Sequence, residues 1–418
     1  MSTKQDFLKA IWDQPHDDLP RLVYADWLEE QGDAARAEFI RLQCEHARTE
    51  KYEDHWYTLR DRVEKLWKKH KKTWQAELPE SVRKYRFERG FVSPNSKIYT
   101  ASAFTSLDPS LIEAAPFWKI ELRGNISDLV KAAKHPHMGR VSHLNYDSSG
   151  HPHRHKDGFF TQGHLHNLSR LLLRNPNADD ATVEALIDNC HRIPHLKQLQ
   201  IGYENEVTSS GINKLAQSPI LSGLTHLLMP SCYLTAESFK NVIQSPGLAN
   251  CRSLLPPARR LVYENRSSRN REEYDVAETS AIIEAVGNSK EIPKLTSLQL
   301  DHCHNESSKV LFDTSPIFQL RELTIWTGYD AQAEYFEKLA HWPGLQSLRT
   351  LIFLPSFENV EAAKLIADSP YLGQLRALGY YHHFQLSDSR RETIDQTLLS
   401  RFEKSALFQP EMTRTLLD

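Results

Sequence analysis

Leu295-Thr296-Ser297-Leu298-Gln299-Leu300-Asp301-His302-Cys303 is the clearest copy of a phrase, Leu-x-x-Leu-x-Leu-x-x-Cys, that returns along two thirds of the chain. Leu224, Leu227, Met229 and Cys232 repeat it, as do Leu320, Leu323 and Ile325. Leu348, Leu351 and Phe353 follow, then Leu375, Leu378 and Tyr380. Towards the N-terminus the copies weaken: Leu196, Leu199 and Ile201; Leu168, Leu171 and Leu173; Val141, Leu144 and Tyr146; and Phe117, Ile120, Leu122 and Asn125. A degenerate copy sits at Cys251, Leu254 and Pro256.

The central anchors are residues 120, 144, 171, 199, 227, 254, 298, 323, 351 and 378, at intervals of 24, 27, 28, 28, 27, 44, 25, 28 and 27. Units of this length and pattern define the leucine-rich repeat. The alternation Leu-x-Leu has the two-residue period of a strand with one buried face. The closing Asn or Cys (Asn125, Cys232, Cys303) is placed to bond backbone groups left open where the strand ends. Between the strands, residues 182–189, 211–217, 238–244, 279–287, 333–340 and 362–367 read as helices. Several close on Ser-Pro, at Ser218-Pro219, Ser245-Pro246, Ser315-Pro316 and Ser369-Pro370. Proline there stops the helix and sets an extended approach to the next strand. The expected fold is an α/β leucine-rich-repeat horseshoe of about ten units over residues 117–384, parallel strands inside and helices outside.

The chain has 418 residues and a net charge of −3, so no global electrostatic pull toward nucleic acid or anionic lipid is expected. Met1-Ser2-Thr3-Lys4-Gln5-Asp6 is followed by no apolar signal region, and no apolar run approaches the ~20 residues of a membrane helix. The five cysteines are scattered, without a C-x-x-C pair. A reduced, cytoplasmic, monomeric protein with no cofactor is the expectation.

Ahead of the repeats, residues 1–78 read as a small helical module. Phe7, Leu8 and Ile11 share one helix face. Asp17 or Asp18 caps a second helix, with Pro20 in its first turn and Leu22, Val23 and Trp27 as its apolar stripe. Gly32 ends that helix, and Asp33 caps a third with Phe39 and Ile40 inward. A fourth, over 53–74, places Trp56, Leu59, Val63, Leu66 and Trp67 together. The run Asp-Asp-x-Pro-Arg-Leu-Val-Tyr-Ala-Asp-Trp-Leu-Glu-Glu, then Gly-Asp and Arg-Ala-Glu-Phe-Ile-Arg-x-Gln, resembles the repeat-companion domain found mainly in planctomycete proteins beside leucine-rich and other repeats. His70, Trp74, Pro79 and residues 87–92 resemble the segment C-terminal to that domain in its leucine-rich members. The resemblance implies a bacterial repeat protein and carries no established activity. Arg21, Tyr24, Asp26, Glu29, Glu30, Arg36 and Glu38 form either a ligand-binding patch or salt bridges and caps between the helices. Residues 79–116, with a strand and turn at 85–92 and short helices at 101–106 and 109–115, are expected to cap the solenoid.

Three places invite a functional reading. A histidine-rich run (His135, His137, His143, His151, His153, His155, His164 and His166) is dense enough for a transition metal, yet lacks the spaced cysteine or carboxylate partners that fix geometry. The long interval carries an inserted, mixed-charge loop near 259–275, read as disordered or as a partner-contacting arm. Strand residues not facing the core must face the concave side. There the first repeats are charged, with Arg123 and Arg174, and the last present Trp326, Ile352, Leu354 and Tyr381. The tail 385–418 either caps the solenoid or covers that apolar stripe. The expected function is a non-enzymatic scaffold binding an unidentified protein on the concave face, with no catalytic residues, no metal site, no membrane and no nucleic acid. Alternatives are a small-GTPase regulator, by fold analogy alone, and a metal-binding protein through the 135–166 run.

Overall fold

The computed structural model describes residues 3–50, 53–94, 97–116, 118–148, 158–173, 178–202, 206–230, 234–257, 276–300, 305–326, 333–354, 360–380, 387–402 and 407–408. Cys232, Cys303, Arg174, Tyr381, His151, His153, His155 and the 259–275 insertion lie outside the described residues. The chain divides into two units: residues 1–171 with 191–195, and residues 172–190 with 196–418.

In the first unit, Thr3 and Asp6 form a capping box that starts α1 (Lys4–Asp13). Pro20 lies in the first turn of α2 (Leu19–Glu30), and Asp17 rather than Asp18 accepts the Leu19 N–H, at 2.9 Å. Gly32, at φ +89°, ends α2, and Asp33 accepts the Arg36 N–H to open α3 (Ala34–Arg48). α4 (Asp54–Ala76) follows, burying Leu59 and Trp74. Ile11, Tyr24, Ala25, Leu28, Ala37, Ile40 and Cys44 make the module's core. Val23, expected in the apolar stripe, is instead exposed; the buried face of α2 runs through Arg21, Tyr24, Ala25 and Leu28.

β1 (Phe87–Glu88) and β2 (Phe91–Val92) form an antiparallel hairpin closed by Arg89 and Gly90. Both turn residues have positive φ, 46° and 88°, as a two-residue type I′ turn demands. β3 (Lys97–Thr100), α5 (Ala101–Thr105) and α6 (Pro109–Glu113) lead into β4 (Trp118–Gly124), α7 (Ile126–Lys134), β5 (Val141–Ser148) and α8 (Gly158–Gln162). β3, β4 and β5 run parallel, with Ile120 beside Leu144. Asn125, expected to close the first repeat phrase, caps α7 by accepting the Asp128 N–H at 3.0 Å. β3 has no counterpart in the repeat reading, because Lys97-Ile98-Tyr99-Thr100 carries no leucine phrase.

The division between units falls within β6 (Arg170–Leu173). The second unit continues with α9 (Asp180–Asp188), β7 (Gln198–Ile201), α10 (Ser209–Ala216), α11 (Ile220–Gly223), β8 (His226–Leu228), α12 (Ala236–Ile243) and β9 (Ser253–Leu255). Then come α13 (Val276–Asn288), β10 (Ser297–Leu300), α14 (Asn305–Lys309), β11 (Glu322–Trp326), α15 (Ala333–Ala340), β12 (Thr350–Leu354), α16 (Val360–Ala367), β13 (Ala377–Gly379), α17 (Asp388–Leu399) and β14 (Leu407–Phe408). Strands β7 to β14 are parallel and paired in chain order. The anchors stand side by side: Leu199, Leu227, Leu254, Leu298, Leu323, Leu351 and Leu378. All seven are 0% exposed. Helices cover this buried face, as where the Phe336 ring of α15 lies 5.9 Å from Phe353 of β12. This is the α/β leucine-rich-repeat fold, preceded by a small all-α module. At its C-terminal end α17 packs beside α16, Tyr380 donates its hydroxyl to Asp395 at 2.7 Å, and β14 adds a strand to β13.

Candidate functional site

The strand positions flanking each anchor build the face that the repeat offers. In β10 to β13 the register sets Gln299, Thr324, Ile352 and Gly379 in one row and Trp326 beside Leu354 in the next. Rows at strand spacing, about 4.8 Å, bring each side chain against its neighbours. That closes over the short ones: Ser253, Thr324 and Thr350, all expected to be open, are buried. Gln200, Leu228, Leu255 and Gln299, expected open as well, are also buried. Among the described strand residues of β10 to β13, Trp326, Ile352 and Leu354 are half-exposed, as are the smaller or charged Ser297, Glu322 and Ala377. Ile352 has Gly379 on one side, which contributes no side chain to the row. In the described part of the C-terminal tail, α17 joins the helix layer beside α16 and β14 pairs with β13.

At the charged end of the first unit the strand residues neutralise one another. Arg123 pairs with Glu121 and, at 3.2 Å, with Asp147; Asn145 donates to Glu121 at 3.1 Å; Lys119 reaches Glu88 at 2.7 Å. Arg123 therefore belongs to a balanced network rather than to an open cationic patch.

Two histidines of the first unit, His16 and His137, are bonded to its backbone. His16 Nε2–H donates to the Asn167 carbonyl at 2.9 Å, and its ring lies 4.8 Å from His195. His137 Nε2–H donates to the Leu107 carbonyl at 3.0 Å, with the His135 ring 4.2 Å away. His143 bonds Ser142 through Nδ1. Burial holds His16 down to about 4 and His143 well below the usual imidazole range. Among the described residues no group of three or more His, Cys, Asp or Glu side chains is placed to hold a metal ion.

The N-terminal signature is resolved into contacts. Arg41 spans Asp26 at 2.6 Å and Glu29 at 2.7 Å, joining α3 to α2. Glu38 takes Arg62 of α4 at 2.9 Å. Arg36 lies over Trp74 and Phe87, 4.9 and 4.7 Å from the ring centroids, and donates to the Gly90 carbonyl at 2.6 Å. Gln43 donates to Phe87 O and accepts the Gly90 N–H, so one amide holds both β1 and the turn of the hairpin. Arg21, fully buried, donates to Asp17 O at 2.7 Å; burial pulls its guanidinium down to about 10. These residues tie helices and hairpin together, and the same contacts account for the signature's spacing.

One group escaped the sequence reading. The residue immediately before each strand in β9 to β13 is Arg252, Thr296, Arg321, Arg349 and Arg376. An open cleft of about 450 Å³ is lined by Arg349, Gly373, Gln374, Leu375 and Arg376. The signal was present in the register: each arginine stands two residues before a repeat anchor.

No family model matches the sequence, and no curated protein matches it. Among solved structures, a Bacteroides fragilis protein is similar at TM-score 0.37 and 16% identity, over 67% of this chain and 73% of that one. The yeast Rad7 and Elc1 complex is similar at TM-score 0.38 and 14% identity, over 93% of this chain and 96% of that chain. Likeness at this level carries no inference about function.

Proposed function

We propose that this protein is a non-enzymatic interaction scaffold whose repeat unit binds a protein partner along the strand face of β11 to β13. One observation carries the reading. Flanking positions such as Thr324 and Thr350 are buried, whereas Trp326, Ile352 and Leu354 stay half-exposed on adjacent strands. Grouped aromatic and aliphatic side chains of this kind are what partner hot spots are made of. The helical module of residues 1–78 is, within this proposal, a companion domain to the repeats.

The test compares wild type with Trp326→Ala and Leu354→Ser as immobilised baits, followed by titration of any purified partner. Truncating a hot-spot residue costs about 2 kcal/mol or more, so affinity should fall at least about tenfold with an unchanged melting temperature. A partner held equally well by all three proteins would end the proposal.

A further inference from the structure

We propose that the arginine row Arg252, Arg321, Arg349 and Arg376, at the edge where strands β9 to β13 begin, docks a short acidic peptide segment of a protein partner. The proposal rests on the scaffold reading above but uses a different edge of the sheet. The row is placed by the backbone itself. Thr296 N donates to Arg252 O at 2.9 Å, Arg321 N to Thr296 O at 2.7 Å, Arg349 N to Arg321 O and Arg376 N to Arg349 O at 2.8 Å. Neighbouring positions are thus one strand apart, about 4.8 Å, and Arg321, Arg349 and Arg376 are consecutive.

Two of the side chains are held as well as placed. Arg321 Nη1 donates to Ser347 O at 3.5 Å, and Arg349 Nη1 to Gln374 O at 3.1 Å. Each guanidinium lies across the turn that precedes the next strand. Lys197 makes the same reach, to Gly223 O at 3.2 Å. One N–H of the fork is used in this contact, and the others are left to meet a carboxylate. Among the described residues neither Arg252, Arg321 nor Arg349 is ion-paired with a carboxylate. This contrasts with Arg123, which is satisfied by its own strand neighbours. The cleft beside Arg349 and Arg376 is open at Gly373, where nothing lies within 4 Å of a Cβ position.

Two observations favour a peptide over nucleic acid. Among the described residues no aromatic side chain lines the cleft, so these residues offer bases no stacking platform. The chain as a whole carries −3, so attraction is confined to the row and suits a short anionic segment better than a long polyanion.

The experiment is fluorescence anisotropy on the full chain with a labelled peptide of about ten mixed Glu and Asp residues, against its Gln/Asn counterpart and an oligodeoxythymidylate of similar length. The acidic peptide should bind, more weakly as salt rises, and the amide peptide should not. Arg349→Gln with Arg376→Glu should weaken binding by about tenfold or more, since charged hydrogen bonds are lost. Arg252→Glu and Arg376→Glu, both at exposed positions, serve as single variants, each checked for an unchanged melting temperature. Peptide binding retained by Trp326→Ala supports the row even where the apolar stripe binds nothing. Absence of peptide binding, equal binding by the arginine variants, or preference for the oligonucleotide overturns it, and leaves Trp326-dependent capture standing on its own result.

Discussion

Gly32 and Gly90 share nearly the same backbone angle, φ +89° and +88°, and differ in what surrounds them. A Cβ on Gly32 meets nothing within 4 Å, whereas one on Gly90 would sit 2.5 Å from Ile40 Cγ1. The first site charges a substitution only for the left-handed conformation, about 1 kcal/mol. The second adds a steric conflict with a fully buried isoleucine and displaces a carbonyl and an amide held by Arg36 and Gln43. Gly90→Ala should therefore cost about 2 kcal/mol or more beyond Gly32→Ala. Urea denaturation of the two variants measures the difference directly; equal losses would mean that the hairpin is not seated on α3. The residues of the N-terminal signature were legible as a group, and Gly32, Asp33 and Pro20 behave as their local chemistry requires. What Gln43 and Arg36 do was not legible, because their partners lie 44 and 54 residues away in the hairpin.

Among the elements, serines at the helix stops, Ser245 and Ser369 with a following proline and Ser289 without one, carry a second function. Ser245 donates its hydroxyl to Ala216 O at 2.9 Å, Ser289 to Ile243 O at 2.8 Å and Ser369 to Ala340 O at 2.6 Å. Ala216, Ile243 and Ala340 are the last residues of α10, α12 and α15, whose terminal carbonyls have no partner within the helix. Each serine thus caps the helix of the preceding repeat and fastens one unit to the next. Proline stops were readable from Ser-Pro alone; the inter-repeat cap was not, since the acceptor lies 29 residues upstream for Ser245. Ser369→Ala leaves a buried carbonyl unsatisfied and should cost about 1–3 kcal/mol. The denaturation slope should be unchanged, which separates loss of one bond from loss of a repeat. Ser369→Thr, keeping a hydroxyl, should recover part of the loss; no recovery would point to packing instead.

For the whole molecule, the leucine ladder was the part most fully written in the sequence: all ten anchors fall on strands, and the seven from Leu199 to Leu378 stand in the expected register. The ends were not written there, because β3 and β14 are short strands without the phrase. The strand face was half-readable: which side chains point out follows from the period, but how far neighbours close over them depends on pairs of repeats. The histidines give the last prediction. His16, His135, His143 and His166, all within residues 1–171, are held below the usual imidazole value of 6.5, burial being the first cause in each case. A histidine whose folded value is depressed binds fewer protons folded than unfolded. Its stabilising effect is complete above about 6.5 and is lost as pH falls toward the folded value, about 4 for His16. Acidification from pH 7 to 4.5 should therefore loosen the first unit ahead of the second. Hydrogen exchange resolved by peptide at the two pH values, corrected for intrinsic rate, reads this out. Protection should fall first around Asn167, which holds His16 through its carbonyl, and around Ser142 and His143. His143→Gln keeps a polar group of similar reach without a titrating proton, so the fall should become shallower. A uniform loss across both units, or no change in slope for His143→Gln, would place the acid sensitivity in the carboxylate pairs rather than in these histidines.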